Sequence, residues 1–138
     1  VLYELTALGH ELEPVVLALG RFGARYLGAP KRGERSHVRW AMVGLKRRYR
    51  PGQQRGCIAL SVDHIHHYRI RMQSNMLDVA EGPPEPGDDV RANLTADGFR
   101  AMLFHDASTR DLLRSGQLVL EGKTKTFFAL IDAIGASA

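Results

Sequence analysis

The chain has 138 residues, 44% of them hydrophobic and 25% charged, which suits one ordinary folded domain with a helical appendage and excludes an extensively disordered chain. Its net charge of +4 fits an acidic partner such as DNA, although scattered surface charge gives the same value. The single cysteine, Cys57, excludes an internal disulfide framework, and no apolar run approaches the roughly 20 residues of a membrane span, so a reducing cytoplasm is the expected compartment.

In chain order, residues 1–4 are expected to form a short strand. Thr6 then offers an N-cap oxygen for a long helix over residues 7–26, whose apolar side chains Leu8, Leu12, Val15, Val16, Leu19, Phe22 and Tyr26 fall on one face. Pro14 lies inside this helix and predicts a kink near the preceding turn. Gly20 and Gly23 weaken it but permit close approach of another helix. Such a face needs something to pack on, either the neighbouring domain or a partner chain.

Residues 28–35 read as a polar linker. Ser36 can cap a second helix with Val38, Ala41, Met42, Leu45 and Tyr49 on one side, closed by Lys46, Arg47, Arg48 and Arg50 and stopped by Pro51-Gly52. The apolar period then changes to two. Ile58, Leu60 and Val62 predict one strand, and Tyr68, Ile70 and Met72 a second, antiparallel to it. A third strand is expected over residues 76–80, a proline-rich loop over 81–87 and a fourth strand over 90–94. Thr95 caps a helix carrying Phe99, Met102, Leu103 and Phe104, and Ser108 a short one with Leu112 and Leu113 that Gly116 ends. A fifth strand follows over 118–121 and a final helix over 123–134. This order predicts an α+β fold, a five-stranded and mostly antiparallel sheet with helices on one face. The opposite face, with Arg69 and Arg71, is expected to meet water or the N-terminal helix.

Two resemblances refine this reading. Tyr3-Glu4-Leu5-Thr6-Ala7-Leu8-Gly9, followed by a helix with a central Pro14 and the pair Phe22-Gly23, resembles the end of an HxlR-type winged-helix regulator, where a wing strand runs through such a turn into a dimerising helix. From about residue 35 the order of elements is similar to a sterol carrier protein-like domain. Residues 89–103, with the Thr95-Ala96-Asp97 cap, and Gly116-Gln117-Leu118-Val119-Leu120-Glu121-Gly122 carry that likeness. The implied organisation is a wing-strand end and dimerisation helix over 1–27, a linker over 28–35 and a sterol carrier protein-like domain over 36–138. The resemblance implies a homodimer joined through Leu8, Leu12, Val15, Leu19 and Phe22, with DNA contacted by a winged-helix region upstream of Val1. It also implies an apolar or lipid-like effector enclosed between sheet and helices, for which Leu103, Phe104, Leu112, Leu113, Phe127, Phe128 and Ile131 are candidate walls. The same residues at helical spacing would fill an ordinary core.

Other chemistry is sparse. In Asp63-His64-Ile65-His66-His67, the histidines 64 and 66 share one face of an extended chain at metal-ligand spacing, but the cluster falls where a hairpin should turn, and a solvated turn accounts for it. Cys57 is either a redox-sensitive thiol or a half-buried strand residue. His105, Asp106 and Ser108 are the residue types of a hydrolytic triad, yet neighbours between two helices seldom supply its geometry. The basic run Lys46-Arg47-Arg48-Tyr49-Arg50, with Arg55, suits phosphate contacts or a solvated helix end. No metal, cofactor, membrane partner or enzymatic activity is expected. The reading is an effector-binding and dimerising part of a bacterial transcription regulator; a lipid or sterol carrier is the alternative, and an enzyme's accessory domain a third.

Overall fold

The computed structural model describes residues 4–27 and 38–136, which fall into two compact units, Val1–Glu34 and Arg35–Ala138. The expected strand over residues 1–4, the linker over 28–35 and the Ser36 cap lie largely or wholly outside the described residues.

In the first unit the Thr6 hydroxyl accepts the N–H of Gly9 at 3.1 Å and starts α1 (Ala7–Glu11). The helix breaks at Leu12 and resumes as α2 (Glu13–Leu27). Pro14 explains the break. In the first turn of a new helix its missing N–H has no partner to lose, whereas within one continuous helix it would remove a bond. The result is a bent helix, as the kink at Pro14 predicts. Leu8, Leu12, Val15, Val16, Leu19 and Phe22 are all exposed, from 53% for Val15 to 73% for Leu8.

The second unit contains α3 (Val38–Arg48), β1 (Gly56–Val62), β2 (His66–Met72), β3 (Leu77–Glu81), β4 (Val90–Leu94), α4 (Ala96–Phe104), α5 (Thr109–Arg114), β5 (Leu118–Gly122) and α6 (Thr124–Ala133). The strands form one sheet in the order β3-β2-β1-β4-β5. Three pairings are antiparallel, and β1 with β4 is parallel, Leu60 opposite Ala92. Alternation places Ile58, Leu60, Val62, Tyr68, Ile70, Met72, Val90 and Leu94 on the inner face. Met42, Leu45, Phe99, Met102, Leu112, Phe127, Leu130 and Ile131 cover them from the helices, and all are buried. Each such side chain contributes about 1.5–3 kcal/mol by leaving water.

The connections are chemically specific. The hydroxyls of Thr95 and Ser108 cap α4 and α5 by accepting the N–H groups of Gly98 (3.0 Å) and Asp111 (3.2 Å). Gly122 has φ +100°, and a Cβ there would lie 2.6 Å from the Asp89 carbonyl oxygen, so the turn from β5 into α6 needs glycine. The β1–β2 turn spans 63–65, with Asp63 and His64 both at positive φ (52° and 57°) and the Ile65 N–H bonded to the Val62 carbonyl. His66 and His67 therefore belong to β2, beyond the turn expected to hold them.

Candidate functional site

The outer sheet face carries a polar cluster. Cys57 and Arg69 point outward, one residue from the buried Ile58 and Ile70. The crossover over residues 82–89 carries the chain from β3 back to β4 and sets Asp88 on them: its Oδ1 is 3.0 Å from Arg69 Nη2 and accepts the Cys57 thiol at 3.1 Å. Glu85 adds a 2.7 Å ion pair to Arg69. The crossover thus roofs the Arg69 part of this face, while Arg71 is exposed, as expected of a face that meets water. Burial alone would raise the Asp88 carboxyl, but the Glu85 N–H, the thiol and Arg69 outweigh it and hold it below its ordinary value. Burial first, then the hydrogen bond to Asp88 and its charge, pushes the Cys57 thiol up, which disfavours the thiolate. Next to it, Asp89 accepts the Cys57 N–H (3.0 Å) and Lys123 Nζ (2.8 Å), and these lower its carboxyl. The cluster fastens the crossover to the sheet.

The inner side offers apolar space on both flanks of α3. Between α3 and α4 a narrow cleft of about 30 Å³ is lined by Val38, Ala41, Ala96, Phe99, Arg100, Leu103 and Phe104. Between α3 and the sheet edge a more open groove of about 180 Å³ is lined by Arg39, Met42, Val43, Lys46, Tyr68, Val79 and Glu81. Its rim is charged. Arg39 donates to Glu81 Oε1 through Nε (3.0 Å) and Nη2 (2.8 Å), a pair that raises the Arg39 pKa. Burial, then the Glu81 charge, raises the Tyr68 phenol.

Of the candidate pocket residues, Leu103 and Phe104 line the α3–α4 cleft. Leu112, Phe127 and Ile131 lie in the packed core, with Leu113 and Phe128 half-buried. The α3 and sheet-edge walls, Val38, Ala41, Met42, Val43, Tyr68 and Val79, were missed as lining. The spacing of Val38, Ala41, Met42 and Tyr68 shows that they face inward, but not that a gap lies beside them, and Val43 is exposed beside that face.

The remaining candidates have local roles. His105 ends α4 in a left-handed conformation, Asp106 pairs with Arg100 at 2.9 Å, and Ser108 caps α5. Arg48 donates to the Leu103 carbonyl and stands 6.0 Å from the Phe104 ring centroid, with its pKa lowered by burial and then by Arg47. This arginine of the basic run points inward. His64 and His66 are exposed, and among the described residues no three His, Cys, Asp or Glu side chains converge as a metal site.

No family profile matches the chain, and no curated protein matches it either. Solved structures do. The stereoselective inverting sec-alkylsulfatase Pisa1 of Pseudomonas sp. is similar over 68% of this chain at 13% identity and a TM-score of 0.60. This chain covers 15% of that enzyme's length. Palmitated SCP2L2 of Aedes aegypti, a sterol carrier protein 2-like protein, is similar over 63% of this chain and 78% of its own, at 17% identity and a TM-score of 0.50. Likeness at this identity is a likeness of fold: the α+β unit has the sterol carrier protein-like fold.

Proposed function

We propose that this chain is a binding module that encloses an apolar ligand beside α3 and works as the effector-binding and dimerising part of a bacterial DNA-binding regulator. The observation that carries the ligand reading is the pair of apolar clefts on either side of α3, one with a charged rim. Apolar walls with a few placed polar groups are the usual make-up of a small-molecule site. The palmitate on SCP2L2 supports a lipid-like occupant.

The regulator reading rests on the Tyr3–Gly9 sequence motif and the bent α1–α2 helix, whose exposed apolar side chains suit a second copy of the same helix. In this reading the winged-helix region that contacts DNA stands before Val1, the protein works in the cytoplasm, and it has no catalytic role. Ligand alters DNA affinity by favouring one dimer geometry over another. A carrier in which the cleft is itself the function is the second reading, favoured by the fold shared with SCP2L2.

Native mass spectrometry of the purified chain tests the ligand claim. The expected result is a retained lipid-like mass that is lost on denaturation; a bare chain that also fails to take up added palmitate would overturn it. Sedimentation separates the two readings, since the regulator predicts a dimer and the carrier a monomer.

A further inference from the structure

We propose that α3 is a lid hinged at its C-terminal end, and that the Arg39–Glu81 pair is the latch holding its N-terminal half over the apolar site. This rests on the ligand reading above and deepens it by stating how the site opens.

Among the described residues, the two ends of α3 are fastened differently. At the C-terminal end the Tyr49 hydroxyl donates to the Gln73 carbonyl (2.8 Å), the Arg50 N–H to the Ala133 carbonyl (2.8 Å) and Arg48 to the Leu103 carbonyl. These are three ties to three separate segments. Toward the N-terminal end, among the described residues, Arg39 reaches the sheet edge, pairing with Glu81 beside Tyr68, and the side chains of this ion pair are 78% and 56% exposed. Water competes well for such a pair, so it opens far more readily than a partly buried hydrogen bond. Among the described residues of α3, Met42 and Leu45 are the buried ones.

The space beside the helix points the same way. The cleft and the groove hold about 30 and about 180 Å³, less together than the roughly 300–1,000 Å³ of a typical ligand site. What separates them is the first half of α3, since Val38 and Ala41 line one while Arg39, Met42 and Val43 line the other. Lifting that half joins them into one apolar chamber walled by Phe99, Leu103, Phe104, Tyr68 and Val79. A swing about Tyr49 in which the first turns of α3 unwind as they lift achieves this without unfolding the sheet, and it frees the N–H groups of residues 42–45 from their bonds within the helix.

The test compares the full chain with Glu81→Gln, Arg39→Glu and the double exchange Arg39→Glu with Glu81→Arg. One measurement is amide hydrogen exchange over residues 42–45. The other is the association rate of Nile red, a neutral apolar dye that these charge changes do not steer. Both single variants should speed exchange and dye entry, by up to about five-fold, the upper end for an exposed ion pair. The double exchange should restore the original rates. Equal exchange in all four proteins would overturn the lid, even if dye binds. Exchange that responds and reverts while no protein binds dye would uphold the lid and sink the ligand reading instead.

Discussion

Asp88 lies 3.0 Å from Arg69 across 19 residues of sequence, with its side chain 1% exposed, and it also accepts the thiol of Cys57. A crossover of eight residues with three prolines has no ladder of its own. This buried carboxylate helps fix its path over β1 and β2, together with the Glu85–Arg69 and Asp89–Cys57 contacts.

Asp88→Ala should therefore destabilise the protein by about 1–3 kcal/mol, the cost of leaving buried polar partners unsatisfied. Urea unfolding at pH 7 measures it. Asp88 and Asp89 both have carboxyls lowered in the fold, so their contribution is present above the ordinary carboxylate pKa of about 3.9 and is lost as pH falls through the depressed values. Stability should drop below about pH 4, and Asp88→Asn, already weakened at pH 7, should show a shallower drop. An identical acid limb in that variant would remove Asp88 from the account.

This cluster marks the limit of what the sequence discloses. Period-two runs such as Ile58-Leu60-Val62 and the capping residues Thr6, Thr95 and Ser108 report their own conformation, because caps and alternation are local physics. The parallel pairing of β1 with β4 is not local. Val90, Ala92 and Leu94 show which face is buried but not which strand lies alongside, and the Asp88–Arg69 pair that accompanies this arrangement joins residues in different elements. The candidate site divides in the same way. Leu103 and Phe104 face inward by spacing, whereas the gap beside them exists through the position of α3, which no spacing encodes.

Asp63 holds the β1–β2 turn to α4: it sits at φ 52° and its Oδ1 accepts the Ala96 N–H at 2.8 Å. Asp63→Ala should cost about 1–2 kcal/mol through the lost bond and the strained left-handed conformation. Asp63→Asn retains an acceptor oxygen and tolerates that conformation, so its thermal midpoint should stay close to the original.

Phe127 and Phe104 should behave oppositely. Phe127 is 1% exposed in the core, so Phe127→Ala should lose about 3–5 kcal/mol. Phe104 is half-buried on the cleft wall, so Phe104→Ala should keep the fold and change the affinity for apolar ligand. Paired chemical-denaturation and dye-titration curves separate these effects.

The dimer claim rests on the exposed face of α1 and α2. Leu12→Asp with Leu19→Asp should convert a sedimenting dimer to a monomer while the circular dichroism of the α+β unit persists. A dimer that survives both changes would exclude this face as the interface.

The central claim, an apolar site beside α3, is tested most directly by mapping amide chemical shifts as palmitate is added to the isotopically labelled chain. The account predicts saturable shifts concentrated on Val38–Lys46, Tyr68, Val79 and Phe99–Phe104. Shifts confined to residues remote from α3, or no saturable change at all, would contradict it.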